Sequence, residues 1–243
     1  MSKLKVLLAT GQHNHEWTKS SAFCKSLLED SGVFDVTVCA EPSQALEDET
    51  YCKGFDLFLL DYCGEDWSGT AKQNFETAVS GGTGLVILHG TGVGFKGWVE
   101  FERMAGLLWR EGTDHGNFYE FPVVITDNEH PITQGISNFM QWDELYYRMV
   151  NVHQVPVRVL ATAYSDPDLK RWDGQGGSGF HEPVMLVNQY GAGRVFYQIL
   201  GHVWPIDYGN GFKGHTLIAF ENENFKKTLL RGCQWAAMGV VTL

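Results

Sequence analysis

Gly84-Leu85-Val86-Ile87-Leu88-His89-Gly90-Thr91-Gly92 is the stretch on which the fold turns. A short apolar run stops abruptly at a histidine framed by glycines. It reads as a strand buried on both faces that ends in a tight turn, which is the pattern of a parallel sheet. In open α/β sheets, ligands gather in the crevice beyond the carboxyl ends of such strands. A titratable side chain at that spot is therefore a functional candidate. Some α/β enzymes carry a Ser or Cys nucleophile at such a turn, and this chain has His89 there.

Working outward, strand and helix patterns alternate through the first half. Val6–Thr10, Phe34–Ala40 and Asp56–Tyr62 read as strands. A helix is expected from Thr18 to Asp30, with Gly32 as its stop. A second should open at Thr70, with Gln73 completing a capping box, and end at Gly81-Gly82. A third should cover Trp98 to Leu108. Alternation of this kind implies right-handed crossovers. The second half is richer in strands: Phe121–Thr126, Tyr146–Val150, Val157–Tyr164, Val184–Gln189 and Arg194–Leu200. Gly191-Ala192-Gly193 suits a hairpin link, and Glu223 to Met238 reads as a closing helix. The expected fold is α/β: a three-layer α/β/α sandwich on a mostly parallel sheet. Residues 1–243 read as one domain.

Bulk composition agrees with a globular α/β protein. The chain has 243 residues, 44% hydrophobic and 19% charged, which argues against disorder. A net charge of −11 with dispersed acids disfavours nucleic acid or an anionic membrane as partner. No apolar stretch approaches a membrane span and no secretory signal is evident, so a cytoplasmic protein is expected. The 5 cysteines form no Cys-x-x-Cys pair and read as reduced and structural. Homo-oligomerisation is compatible with the sequence.

The histidines concentrate at strand ends. His13 and His15 follow the first strand, His89 the fourth, and His202 the strand ending at Leu200. Loops at the carboxyl ends of parallel strands share one rim, so His15, His89, Glu144 and His202 are expected to line one cleft. His115 and His181 lie in irregular segments able to fold over it. One chemistry is a metal site: His13, His15, His89 and His202 offer imidazoles that Zn²⁺, Ni²⁺ or Mn²⁺ would accept. Another is acid–base catalysis by His89 or His202 with Glu144 or Asp143 fixing the tautomer. The plain alternative is histidines that only orient their own loops. Trp17, Trp67, Trp98 and Trp204 suit the apolar faces of a sugar ring, although aromatic residues more often plug a core. Gly90-x-Gly92-x-Gly94 lacks the spacing of a dinucleotide or phosphate loop, so no nucleotide cofactor is expected.

Several segments together resemble the ThuA-like (trehalose utilisation) family. They are Gly11–Trp17, Gly84–Gly90, His115-Gly116, His130–Thr133, Asp143–Tyr146, Ala161–Ser165, His181-Glu182-Pro183, Gly191–Tyr197 with Leu200-Gly201-His202, and Gln234-Trp235-Ala236. The resemblance is colinear and spans nearly the whole chain. It implies a flavodoxin-like fold similar to class I glutamine amidotransferases. It also implies sugar catabolism, with a 3-keto disaccharide or glycoside made by a separate dehydrogenase as substrate. The amidotransferases place a catalytic Cys where this chain has His89, so thiolate glutaminase chemistry is not supported. Where some members carry extra histidines, this chain has Tyr62-Cys63-Gly64-Glu65-Asp66.

The expected function is thus an enzyme on a 3-keto sugar, acting by proton abstraction and elimination or by isomerisation. His89, Glu144 and His202 would be catalytic. His15, Trp17, Trp67, Trp98, His115, His181 and Glu182 would bind substrate. The rival is a non-catalytic sugar- or partner-binding domain of the same fold.

Overall fold

The computed structural model describes residues 2–12, 15–203 and 217–243. A nine-stranded sheet runs through them in the order β2-β1-β3-β4-β9-β8-β7-β5-β6. Its first half is built from β1 (Leu4–Gly11), β2 (Phe34–Cys39), β3 (Leu57–Tyr62) and β4 (Gly84–Leu88). These pair in parallel, and β9 (Gly193–Gln198) joins β4 in parallel as the fifth member. The order of these five matches that of a flavodoxin-like sheet. β3 and β4 are buried at every position, because helices cover both of their faces.

One covering layer is α1 (Trp17–Asp30) with α7 (Glu223–Met238). Cys24 and Leu28 of α1 and Phe225, Leu229 and Cys233 of α7 pack with Val6, Leu8, Leu57, Leu59, Val86 and Leu88. The opposite layer is α4 (Gly69–Ser80) with α5 (Val99–Ala105). Phe75, Val79, Phe101 and Met104 pack there on Leu7, Phe58, Leu60, Leu85 and Ile87. Alternate residues of each strand feed opposite cores, as the pleat requires. Short helices α2 (Pro42–Ala45) and α3 (Glu49–Cys52) lie between β2 and β3, and α6 (Ile218–Glu221) precedes α7.

The sheet is mixed, which corrects the expectation of a mostly parallel one. β5 (Asp114–Ile125), β6 (Phe139–Tyr147), β7 (Arg158–Tyr164) and β8 (His181–Tyr190) are joined to one another and to β9 by antiparallel pairings. The physical reason is connection type. A parallel step needs a crossover, usually helical, whereas these strands turn back through loops without one. The 191–192 turn closes the expected hairpin, with Tyr190 paired to Gly193.

Three local differences have simple causes. α4 is capped by Ser68, whose hydroxyl accepts from the Ala71 amide at 3.2 Å, so Thr70 lies inside the helix. α5 stops at Ala105 and is followed by Gly106 at φ +74°. The expected strand at Tyr146–Val150 begins at Phe139 instead, because β5 and β6 pair along most of their length. Among the described residues, no helix is long and apolar enough to cross a membrane.

Candidate functional site

β1, β3, β4 and β9 run in one direction, so their carboxyl ends form one rim. The β4 turn sits at its centre. His89 follows Leu88 directly, adopts φ +38° and opens a 3₁₀ turn, His89–Val93. Such a conformation in a non-glycine residue persists where its surroundings hold it. Here the Tyr197 hydroxyl donates to the His89 carbonyl at 2.9 Å. His89 Nδ1 donates to the Ile199 carbonyl at 2.8 Å. A carbonyl can only accept, so Nδ1 carries the proton and Nε2 of the neutral ring presents its lone pair. The Tyr146 hydroxyl lies 2.9 Å from that nitrogen and donates to it.

His202 is brought to the same point from β9. Gly201 has φ +126°, a conformation suited to glycine. Asp143 then pins the turn: its carboxylate accepts from the Gly201 amide at 2.8 Å, the His202 amide at 3.1 Å and the Glu144 amide at 2.8 Å. Burial pushes the Asp143 carboxyl up to about 7, against the three amides that favour its anion. Asp143 therefore holds backbone, while Glu144, on the other face of β6, reaches the imidazoles.

Glu144 bridges two of them. Its Oε2 lies 2.9 Å from His202 Nδ1 and its Oε1 lies 2.8 Å from His115 Nδ1. Burial opposes the charge, but the two imidazoles outweigh it and hold the Glu144 carboxyl well below the usual range. For His115, burial acts to lower the pKa and the Glu144 partner more than reverses it. His202 Nδ1 is also 3.2 Å from His89 Nε2. The carboxylate is the nearer and stronger acceptor, so the Nδ1 proton points to Glu144 and Nε2 is turned away from it.

His15 completes the cluster at the start of α1. Its ring meets His89 edge-on at 4.9 Å between centroids and His202 at 4.3 Å. One nitrogen from each of His15, His89 and His202 lies within 4.8 Å of the others. Three imidazoles on this scale are a donor set that a borderline divalent ion accepts. The Glu144–His202 bond is of the kind that orients a metal-binding histidine.

His15, His89, Glu144 and His202, expected to line one cleft, are brought together in one side-chain cluster, with His115 joined through Glu144. His13 and Trp204 lie outside the described residues. Trp17 is the first residue of α1, and its amide donates to the His15 carbonyl at 2.8 Å. Trp67 and Trp98 are corrected. Each is nearly fully buried, and they pack on Phe75, Phe95 and Phe101 beneath α4 and α5. These indoles fill the core and present no face to a ligand. His181 and Glu182 begin β8. The His181 ring is exposed and lies against Tyr164, and Glu182 accepts the Ser178 hydroxyl at 2.6 Å.

Other aromatics line the imidazoles. Trp109 meets Tyr146 edge-on at 4.7 Å and His115 at 5.9 Å, and Phe118 lies 6.2 Å from His202. Asp61, at the end of β3, is buried and takes the Ser20 hydroxyl at 2.6 Å. Burial raises its carboxyl to about 6. Glu144 and Tyr146, two apart on β6, share a face, which strand alternation signals once the strand is placed. Trp109, Phe118 and Asp61 have no comparable signal in the chain.

A family model described as ThuA, trehalose utilisation, matches residues 5–211. The chain belongs to the ThuA family. A ThuA-like protein from Parabacteroides merdae ATCC 43184 is 31% identical, with a TM-score of 0.85 over 100% of this chain and 92% of that one. A second, from Bacteroides uniformis ATCC 8492, shares 16% identity at a TM-score of 0.73, over 96% and 91% of the two chains. A protein from Thermoplasma acidophilum, described as part of a GMP synthase, superposes at a TM-score of 0.53 with 10% identity, over 98% and 96%. The last two likenesses are of fold. No curated protein matches the chain. The family's description, trehalose utilisation, supports a role in sugar metabolism.

Proposed function

We propose that this ThuA protein acts on a 3-keto disaccharide or glycoside by abstracting the C2 proton and expelling the C1 substituent. The observation that carries the reading is the Glu144 carboxylate bridging His115 and His202 beside His89 at the sheet's rim. A C3 carbonyl acidifies the C2 hydrogen, so the reaction needs a base, a stabilised enediolate oxygen and an acid. His202 supplies the base through Nε2, and Glu144 stabilises the imidazolium that forms. His115, whose protonated form Glu144 favours, is the acid for the departing C1 oxygen. Water then adds to C1 as C2 regains a proton, completing a hydrolysis; protonation of the enediolate at C3 without expulsion would give the 2-keto isomer. Trp109 and Phe118 offer apolar ring faces.

His15, His89 and His202 would be the ligands of a divalent ion such as Zn²⁺, Mn²⁺ or Ni²⁺; with an ion bound, His89 Nε2 would exchange the Tyr146 hydroxyl for the metal, His202 Nε2 would be a ligand, and Glu144 would serve as the base. Such an ion, when bound, supplies Lewis-acid polarisation of the 3-keto oxygen. The substrate is a small-molecule sugar.

The test is incubation of the purified protein with 3-keto-trehalose, with and without each metal. Released glucose and exchange of the C2 hydrogen in D₂O are followed. The wild type should show both, and His202→Asn should lower turnover by about 10²- to 10⁴-fold. Absence of both signals under every condition overturns the proposal. Saccharide binding without turnover would assign the binding-domain reading instead.

A further inference from the structure

We propose that Arg110 and Glu102 form a positioning clamp for His89: a guanidinium that does not touch the imidazole cluster fixes the turn from which that ring projects. The inference rests on the cluster being the working site.

The clamp is built from β4's turn and the segment after α5. Arg110 Nε and Nη2 both donate to Glu102 Oε1, at 3.1 and 2.8 Å. The two side chains are only 10% and 7% exposed. Glu102 is itself held by the Gly97 amide at 3.1 Å and by His153 Nε2 at 2.8 Å. Arg110 Nη1 donates to the Trp109 carbonyl at 2.8 Å and the Gly92 carbonyl at 3.3 Å. The Trp109 amide donates to that same Gly92 carbonyl at 3.1 Å. The guanidinium also lies 3.5 Å from the carbonyls of Val93 and Gly94.

A desolvated guanidinium is costly unless its donors are filled, and here they are filled by one carboxylate and by the backbone of the His89 turn. Gly92 lies near the end of the turn that His89 begins. Holding Gly92 fixes one end, and the Tyr197 hydroxyl on the His89 carbonyl fixes the other. The result keeps His89 at positive φ, with Nδ1 on Ile199 and Nε2 toward Tyr146 and His202. Arg110 also fixes Trp109, whose ring packs on Tyr146. Lysine at 110 would keep the charge but lose the fork that reaches Glu102 and the carbonyls together.

Long-range ¹H–¹⁵N spectra of the full chain labelled with ¹⁵N-histidine test this, with His89 assigned through His89→Gln. The wild type should show His89 as one tautomer protonated at Nδ1. Arg110→Gln and Glu102→Gln should lose that pattern, the two nitrogen signals moving together as tautomers exchange, and Arg110→Lys should be intermediate. Phe34→Leu, a buried residue on the far edge strand, is the control for lowered stability and should keep the pattern. If Arg110→Gln does not fold, Glu102→Gln and Arg110→Lys decide. A wild-type His89 pattern in the folded clamp variants overturns the proposal, as does loss of the pattern in Phe34→Leu. The spectrum is read without substrate, so failure of the sugar reaction leaves this result separate.

Discussion

His89 connects sequence to site most directly. Its place after an apolar strand is legible in the chain, whereas its tautomer depends on the Ile199 carbonyl, 110 residues away. The same division applies to Gly92. Its Gly-x-Gly run lacks the spacing of a phosphate loop, and a Cβ there would land on the Tyr197 hydroxyl. That hydroxyl is the donor to the His89 carbonyl, so the glycine makes room for a hydrogen bond and not for a ligand. Gly92→Ala should therefore cost about 1–3 kcal/mol, the usual scale for overpacking, and reduce turnover of the 3-keto sugar. Tyr197→Phe removes the atom nearest that Cβ and leaves the ring carbon at 2.9 Å. In a double-mutant cycle the pair should be less destabilised than the sum of the single variants. Additive costs in chemical denaturation would show that Gly92 is constrained by something other than Tyr197.

At the scale of elements, legibility followed local pattern and failed where pairing is long-range. α7 was readable to the residue, since its apolar face, its Asn222 cap and Gly239 all lie within the segment. β5 and β6 were not, because the pairing between them sets their length, and a shift there moves Glu144 from beside a strand to its middle. The 165–180 loop shows a further long-range tie. Arg171 donates to both Asp114 oxygens, at 2.5 and 3.0 Å, and to the His115 carbonyl at 3.1 Å. Asn117 Nδ2 donates to the Lys170 carbonyl at 2.7 Å. The loop is thereby strapped across the start of β5, the segment that carries His115. A forked, charge-assisted contact of this kind is among the stronger ones. Arg171→Ala should raise the rate of limited proteolysis within the loop about tenfold, equivalent to roughly 1.4 kcal/mol of local opening. The global unfolding midpoint should barely move. Unchanged cleavage would mean the loop is held by its internal turns alone.

For the whole molecule, the parallel half of the sheet was foreseeable from strand–helix alternation and the antiparallel half was not, since strand direction is decided by connections whose path the chain does not spell out. Stability against pH is likewise a sum over groups that no local pattern reveals. His130 is a clear case away from the candidate site. Its ring is buried against Trp235 and its Nδ1 accepts from the Ile132 amide at 3.3 Å. Burial lowers its pKa to about 4, helped by Arg158 and opposed by Asp127. Above pH 6.5 the ring is neutral in both folded and unfolded chains and its titration contributes nothing. As pH falls through 6.5 the unfolded chain takes up the proton first, so stability drops until the folded ring also titrates near 4. The full loss is about 3 kcal/mol. Asp61 and Asp143, raised to about 6 and about 7 by burial, act in the opposite sense over part of the same range, so the wild-type curve alone cannot isolate His130. The comparison with His130→Gln can. Between about pH 7.5 and 4.5 the variant should lose about 2 kcal/mol less unfolding free energy than the wild type, whatever its starting stability. Parallel curves in urea denaturation across that range would show that the folded protein accepts a proton at His130 as readily as the unfolded chain does. The Ile132 amide could not then be using Nδ1 as its acceptor.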